Sequence, residues 1–259
     1  MEARFANDAA SFKHLIDAVK EVVTEVNLDC TPNGIEMQAM DNSHIALVSF
    51  SLDASKAFSY YKCEKPVNFG VNVSSLQKVL KLCNNEDILT LNKSETVDKL
   101  DLMFESRTGS KISHFSVGLL DIDQEHLGIP DVEYKTYFSM SSMEFLKICK
   151  EFRELADTVK IASGKEGIKF SFQSDVSSGN ITLVPNTSMD DSSLPPINIK
   201  VVENTCASFA TKYMMLFSKG SFLSQVVNIS LSDAFPLAIE YKFQEGRLLY
   251  YMAPKMEED

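Results

Sequence analysis

Residues 74–83 read SSLQKVLKLC, two lysines and no acid, in a chain whose formal net charge is -11. Taken as a helix, the spacing puts Leu76, Val79, Leu80 and Cys83 on one face at i, i+3, i+4 and i+7. Lys78 and Lys81 then stand side by side on the exposed face. The same polarity recurs. Lys147 and Lys150 are three apart, and Lys13/Lys20 and Lys212/Lys219 are seven apart, each pair on one helical face. Across the segments 11–26, 74–83, 141–153 and 207–219, nine basic residues face five acids, whereas the rest of the chain holds 16 basic and 31 acidic residues. A row of ammonium groups displaces condensed counterions from a phosphate backbone, so such a face binds nucleic acid without reading its sequence and loosens as salt rises. No aromatic residues are interleaved on these polar faces, which argues for duplex geometry and against base stacking. On one helix alone, lysines of this kind do no more than solubilise. Four helices of one polarity in an acidic chain favour the phosphate surface.

Other chemistry finds little support. His14, His44, His114 and His126 have no metal-ligand spacing, and there is no phosphate-cradling glycine loop, dinucleotide fingerprint or nucleophile elbow. His44, in MDNSHIALV, has the composition of a hydrolytic base, yet a surface or structural histidine fits it better, so the expectation is a protein that is not an enzyme and needs no cofactor. Cys30, Cys63, Cys83, Cys149 and Cys206 are odd in number and never closer than 20 residues, which reads as small buried hydrophobes and neither a disulfide framework nor a zinc site. Apolar residues make 44% of the chain and charged residues 24%, a globular composition. No apolar run of membrane-spanning length occurs and the first residues lack signal-peptide order, so a cytosolic or nuclear place is expected.

The elements that position the lysines come in two rounds. SFKHLIDAVKEVVTEV (11–26) sets Phe12, Leu15, Ile16, Val19, Val23 and Val26 on one helical face, and SSMEFLKICKEFR (141–153) repeats the spacing with Phe145, Ile148, Cys149 and Phe152. Ser141 and Glu144 form a capping box. NGIEMQAMD (33–41) and EGIKFSFQSD (166–175) are glycine turns into strands, 133 residues apart. SSLQKVLKLC is answered by ASFATKYMMLFSK (207–219), and each is followed by a strand, EDILTL (86–91) and QVVNISL (225–231). The fold class is therefore α+β: two similar domains of antiparallel sheets with two helices each, 1–118 and 136–259. The connector 119–135 has no helix or strand period, and Gly128 and Pro130 interrupt it. Its Leu127, Ile129 and Pro130 predict that it lies against something.

MQAMDNSHIALV (37–48), LCNNEDILTL (82–91), HLGIPDVEY (126–134), FPLAIEYKF (235–243) and LLYYMAPKMEED (248–259) closely resemble the proliferating cell nuclear antigen family, the eukaryotic DNA sliding clamps. The likeness runs end to end. It implies the DNA clamp fold and a homotrimeric, pseudo-sixfold ring in the nucleus. Such a ring encircles double-stranded DNA without regard to sequence, with helices lining the hole, and acts as a DNA polymerase processivity factor. It also serves as a docking platform in replication, repair and translesion synthesis. The implied partners are DNA polymerases, the flap endonuclease, DNA ligase and the clamp-loader ATPase. A clamp-fold peptide-binding adaptor that never encircles DNA is the alternative; it would need neither free edge strands nor four basic helices.

Carried over residue by residue, the resemblance implies a DNA-facing set of Lys13, His14, Lys20, Lys78, Lys81, Lys111, Lys147, Lys150 and Lys219. His14 stands where the family often has lysine, and Lys147 and Lys150 where it often has arginine, whose bidentate fork is lost here. The implied pocket for peptides with aromatic anchors comprises Met40, His44, Ile45, Leu47, Leu127, Ile129, Pro130, Pro236, Tyr251, Ala253 and Pro254, with the acidic 255–259 at its rim. KISHFSVG (111–118) and SSGNITLV (177–184) match the subunit edges, giving Lys111, Ser113, Phe115 and Val117 against Ser177, Gly179, Ile181 and Leu183. Phe115 replaces a common tyrosine. Lys165, in ASGKEGIKF, matches the lysine the family modifies by ubiquitination.

Overall fold

The computed structural model describes residues 1–94, 96–123, 127–128, 132–186, 195–233 and 235–255. Two compact units emerge: unit 1 is 1–42, 48–128 and 243–248, and unit 2 is 43–47, 129–242 and 249–259.

Unit 1 runs β1 (Glu2–Phe5), α1 (Ala10–Val19), β2 (Glu25–Thr31), β3 (Gly34–Met40), β4 (Ala46–Asp53), the one-turn α2 (Ala54–Ala57), β5 (Phe58–Lys62), β6 (Val67–Asn72), α3 (Val73–Leu80), β7 (Ile88–Lys93), β8 (Lys99–Glu105) and β9 (Ile112–Gly118). One antiparallel sheet has the order β5-β1-β7-β8-β9, and β6-β2-β3-β4 follow one another in a second. Helix α1 packs on α3. Phe12 of α1 meets Phe5 of β1 with ring centroids 5.2 Å apart, and Phe58 meets Phe5 edge-on at 4.9 Å. Burying each such ring stabilises the unit by about 2 kcal/mol.

Unit 2 runs β10 (Thr136–Ser141), α4 (Ser142–Leu155), β11 (Thr158–Gly164), β12 (Gly167–Gln173), β13 (Ser178–Leu183), β14 (Asn198–Val201), β15 (Cys206–Ala210), α5 (Thr211–Phe217), a 3-10 turn (Ser218–Phe222), β16 (Val226–Leu231), β17 (Leu237–Phe243) and β18 (Gly246–Met252). Its strands follow the orders β13-β12-β11-β15 and β14-β10-β16-β17-β18. Helix α4 packs on α5. Phe145, Ile148, Cys149 and Phe152 are buried as the spacing predicts. Phe217 stacks on Tyr250 with centroids 4.4 Å apart.

Two helices are shorter than their periodicity suggests. α1 stops at Val19; Val22 and Val23 are buried in the connection to β2, and Val26 pairs with Val71 in the β2–β6 ladder. The β-branched run Val22, Val23, Thr24 and Val26 favours extended backbone, and ladder pairing overrides the helical spacing. Likewise 206–210 forms β15 against β11, which buries Phe209, and the helix starts only at Thr211. This trims the cationic surplus. Within the four longer helices, Lys13, Lys78, Lys147, Lys150, Arg153 and Lys212 face Asp17, Glu144, Glu151 and Glu154. Lys20 and Lys81 are instead C-caps, and Lys219 sits in the 3-10 turn. Cations there also complement the carbonyl ends of helices.

Cys30, Cys63, Cys83 and Cys149 are buried and Cys206 is exposed, all as free thiols. Burial, with Cys63 nearby, pushes the Cys30 thiol up to about 12, which keeps it neutral. Among the described residues no helix is long and apolar enough to cross a membrane, and no group of His, Cys, Asp and Glu is arranged to hold a metal ion.

Candidate functional site

The lysines divide by what already holds them. In unit 1, Lys13 Nζ donates to the Cys83 carbonyl at 2.9 Å and to Asn85 Oδ1 at 2.8 Å, so this ammonium fastens α1 to the loop after α3. Lys20 lies 3.4 Å from Asp17 and 3.8 Å from Glu21, acids that offset its charge. Asp17 also accepts from Gln77 Nε2 at 2.7 Å, tying α1 to α3. His14 is half-buried on α1. Lys78, Lys81 and Lys111 are exposed, with no acid partner among the described residues. In unit 2, Lys147 and Lys150 are exposed and equally unpaired on α4, next to an Arg153–Asp157 pair at 2.7 Å. Lys219 is half-buried. Thus five cations of the expected DNA-facing set are exposed, and two others carry structural duties the sequence does not announce. An exposed ammonium gives up little on meeting phosphate, because its other contacts are with water.

Each unit has a sheet that ends on a strand of the predicted pair. β9 closes one sheet of unit 1 and β13 closes one sheet of unit 2. Side chains of one parity turn inward on both strands. Phe115 is half-buried with its ring 5.7 Å from Phe104, and Val117 is buried; Ile181 is half-buried and Leu183 buried. Ser113 and Gly179 are half-buried on these same faces. The opposite parity is exposed, including Ile112 at 55%. Lys111 and Ser177 lie one residue outside the strands. The free backbone edge, rather than these inward side chains, is what a neighbouring chain would meet first.

The residues of the expected pocket set are divided between the two units. On unit 1, Met40 ends β3, and Leu127 is held by two hydrogen bonds to Gln38. On unit 2, His44 and Ile45 are exposed in the turn leading to β4, and His44 adopts φ 55, a left-handed conformation uncommon outside glycine. The Ile45 carbonyl accepts from Ala253 N–H at 3.0 Å. Leu47, Tyr251 and Pro254 are half-buried, and Pro236 is exposed. The tail is then pinned by Lys255, whose N–H donates to Ser208 O at 2.7 Å and whose Nζ donates to Thr158 Oγ1 at 2.6 Å. Ile129, Pro130 and 256–259 lie outside the described residues.

Three further residues with long-range partners escape a reading by periodicity. Gln38 is the first. Tyr134 donates its hydroxyl to Pro236 O at 3.0 Å and packs 6.3 Å from Phe235; burial and the nearby Tyr251 and Tyr137 raise its pKa. Lys135 pairs with Glu203 at 3.1 Å and Asp233 at 3.3 Å, and those bonds raise its pKa, Glu203 foremost. An aromatic and a cation closing an aperiodic segment are the only signals the sequence offers. Lys165 is exposed in the two-residue turn joining β11 and β12. A separate cleft of 1020 Å³ in unit 1, lined by Lys62, Lys65, Lys93, Glu2 and Asp98 among others, includes none of these residues.

Residues 1–126 match the family model described as "Proliferating cell nuclear antigen, N-terminal domain", and residues 128–256 match "Proliferating cell nuclear antigen, C-terminal domain". The proliferating cell nuclear antigen of Chaetomium thermophilum is 42% identical over 260 residues, covering 100% of this chain and 99% of that protein. With antiparallel sheets, two longer helices in each half and two domains of one family in tandem, the chain belongs to the proliferating cell nuclear antigen family of non-catalytic clamps, and is a DNA sliding clamp that acts as a polymerase processivity factor.

Proposed function

We propose that three copies of this chain close head to tail through β9 of one and β13 of the next, and that Lys78, Lys81, Lys111, Lys147 and Lys150 face the duplex inside the ring. The observation that carries this reading is the pair of free edge strands, one at the end of a sheet in each unit. Two unlike edges on one chain make a heterologous contact, which closes into a ring when the rotation allows. The acidic balance of the remaining chain keeps DNA off the outer surface, and weak lysine–phosphate contacts let the ring slide. Light scattering coupled to gel filtration is expected to give a mass about three times the 28.9 kDa chain. A persistent single-chain mass would remove the encircling mechanism and leave a peptide-binding adaptor.

The finer partner list follows from the family. The connector 119–135 and the tail at 251–254 receive short peptides of DNA polymerases, flap endonuclease and DNA ligase, the clamp-loader ATPase opens the ring, and the work is done in the nucleus. Lys165, at an exposed turn, accepts ubiquitin in translesion synthesis. Tyr251→Ala is expected to weaken a peptide with an aromatic anchor by about tenfold or more while the trimer mass holds. Fluorescence anisotropy beside light scattering checks this; loss of the trimer in Tyr251→Ala would move the residue from the pocket to the fold.

A further inference from the structure

After β9, the described residues 119–123 and 127–128 form no helix or named strand, yet they are fastened within unit 1 at three points. Leu120 N–H donates to Gly70 O at 2.8 Å and Gly70 N–H donates to Leu120 O at 3.1 Å. Asn27 Nδ2 donates to Ile122 O at 3.0 Å. The third point is Gln38. Its Nε2 donates to Leu127 O at 3.0 Å, and its Oε1 accepts from Leu127 N–H at 2.8 Å. A glutamine amide carries one carbonyl and one N–H group side by side, so it satisfies both backbone groups of a single residue as a neighbouring strand would. The strand that carries it is rigid. Met37 and Ala39 are buried on the core side of β3, which sets the Gln38 stem on the opposite side. Leu127 itself is 41% exposed, so its backbone is fixed while its side chain stays available.

We infer that Gln38 is a positioning residue for peptide capture: it holds the Leu127 backbone in the geometry a peptide meets, without being required for the fold or the ring. This rests on the reading of Leu127 as a peptide contact. An unpinned connector would have to be ordered at the moment of binding, and fixing even one residue's backbone has an entropic cost. The apparent affinity scales with the fraction of chains already in the competent geometry. Both bonds are solvent-exposed, so the latch is weak by design of its chemistry and biases the segment rather than locking it.

The test uses the full chain with Gln38→Leu and Gln38→Glu. Three quantities are measured: amide exchange at Leu127, trimer mass, and binding of a short fluorescent peptide carrying two adjacent aromatic anchors on a helical turn. Gln38→Leu is expected to accelerate Leu127 exchange and weaken the peptide about fivefold, mostly through slower association, with mass and melting temperature unchanged. Gln38→Glu keeps the acceptor for Leu127 N–H but sets an oxygen against the Leu127 carbonyl, and should fall between. Unchanged exchange in Gln38→Leu overturns the anchor. Faster exchange with unchanged affinity overturns its role in capture. If the unaltered protein fails to bind the peptide, the pocket reading falls and this inference with it, a result distinct from binding that ignores Gln38.

Discussion

Gly167→Ala is expected to destabilise the protein by about 3 kcal/mol or more and, at concentrations where the chain is still folded, to lower the mass of the assembly. Gly167 sits at φ +125, where L residues are strained by about 1–3 kcal/mol. A Cβ there would also lie 2.0 Å from the Leu183 carbonyl oxygen. That oxygen is backbone of β13, and β13 is paired to β12 from Ile168↔Leu183 to Gln173↔Ser178, so the only relief is to force the edge strand away from its neighbour. The edge proposed to join subunits is the one displaced. Gly34, 133 residues earlier, supplies the control. It has φ +146 and would bring its Cβ within 1.9 Å of the Leu52 carbonyl oxygen, but Leu52 belongs to β4 and to neither free edge. Gly34→Ala should therefore melt early yet assemble while folded, whereas Gly167→Ala should both melt early and assemble poorly. Thermal melts and light scattering on both variants decide it; an unaltered melt and mass for Gly167→Ala would refute the argument.

That glycine pair also shows how much was legible in the sequence. The 133-residue offset between NGIEMQ and EGIKFS places two glycines that prove to share a backbone conformation and a close carbonyl, because a tight turn into a strand leaves no alternative residue. Helical cores were legible for the same reason: Phe145, Ile148, Cys149 and Phe152 need only local spacing. Where local spacing and ladder pairing compete, as at Val26 and Phe209, pairing wins, and periodicity overextends the helices. What no local pattern carries is a contact between distant residues. Gln38 reaches Leu127 across 89 positions, Tyr134 reaches Pro236 across 102, and Lys13 reaches Asn85 across 72. The expected pocket set came from the family resemblance, and the residues that hold Leu127 and Pro236 came only from the fold.

Replacing Lys78, Lys81, Lys147 and Lys150 together by alanine is expected to leave the fold and trimer mass intact while cutting DNA affinity by more than about tenfold at low salt. All four are exposed and free of acid partners among the described residues, so their removal strands no buried charge. The salt dependence distinguishes this from a general loss of fold. Each lysine–phosphate contact removed should flatten the slope of log affinity against log salt by about 0.9. Lys13 behaves otherwise. Its ammonium holds the 83–85 loop through two hydrogen bonds, so Lys13→Ala should cost about 1 kcal/mol of stability and change the salt slope less than Lys78→Ala does. Topology adds a second contrast. Once a closed ring is threaded on circular DNA, its lifetime there depends on the subunit edges and not on the lysines, so the fourfold variant should load slowly but stay as long as the unaltered ring. Loading and retention on nicked circles, compared with linear DNA from which a ring slides off, measure the two separately. An unchanged salt slope in the fourfold variant would mean that the duplex is met by some other surface.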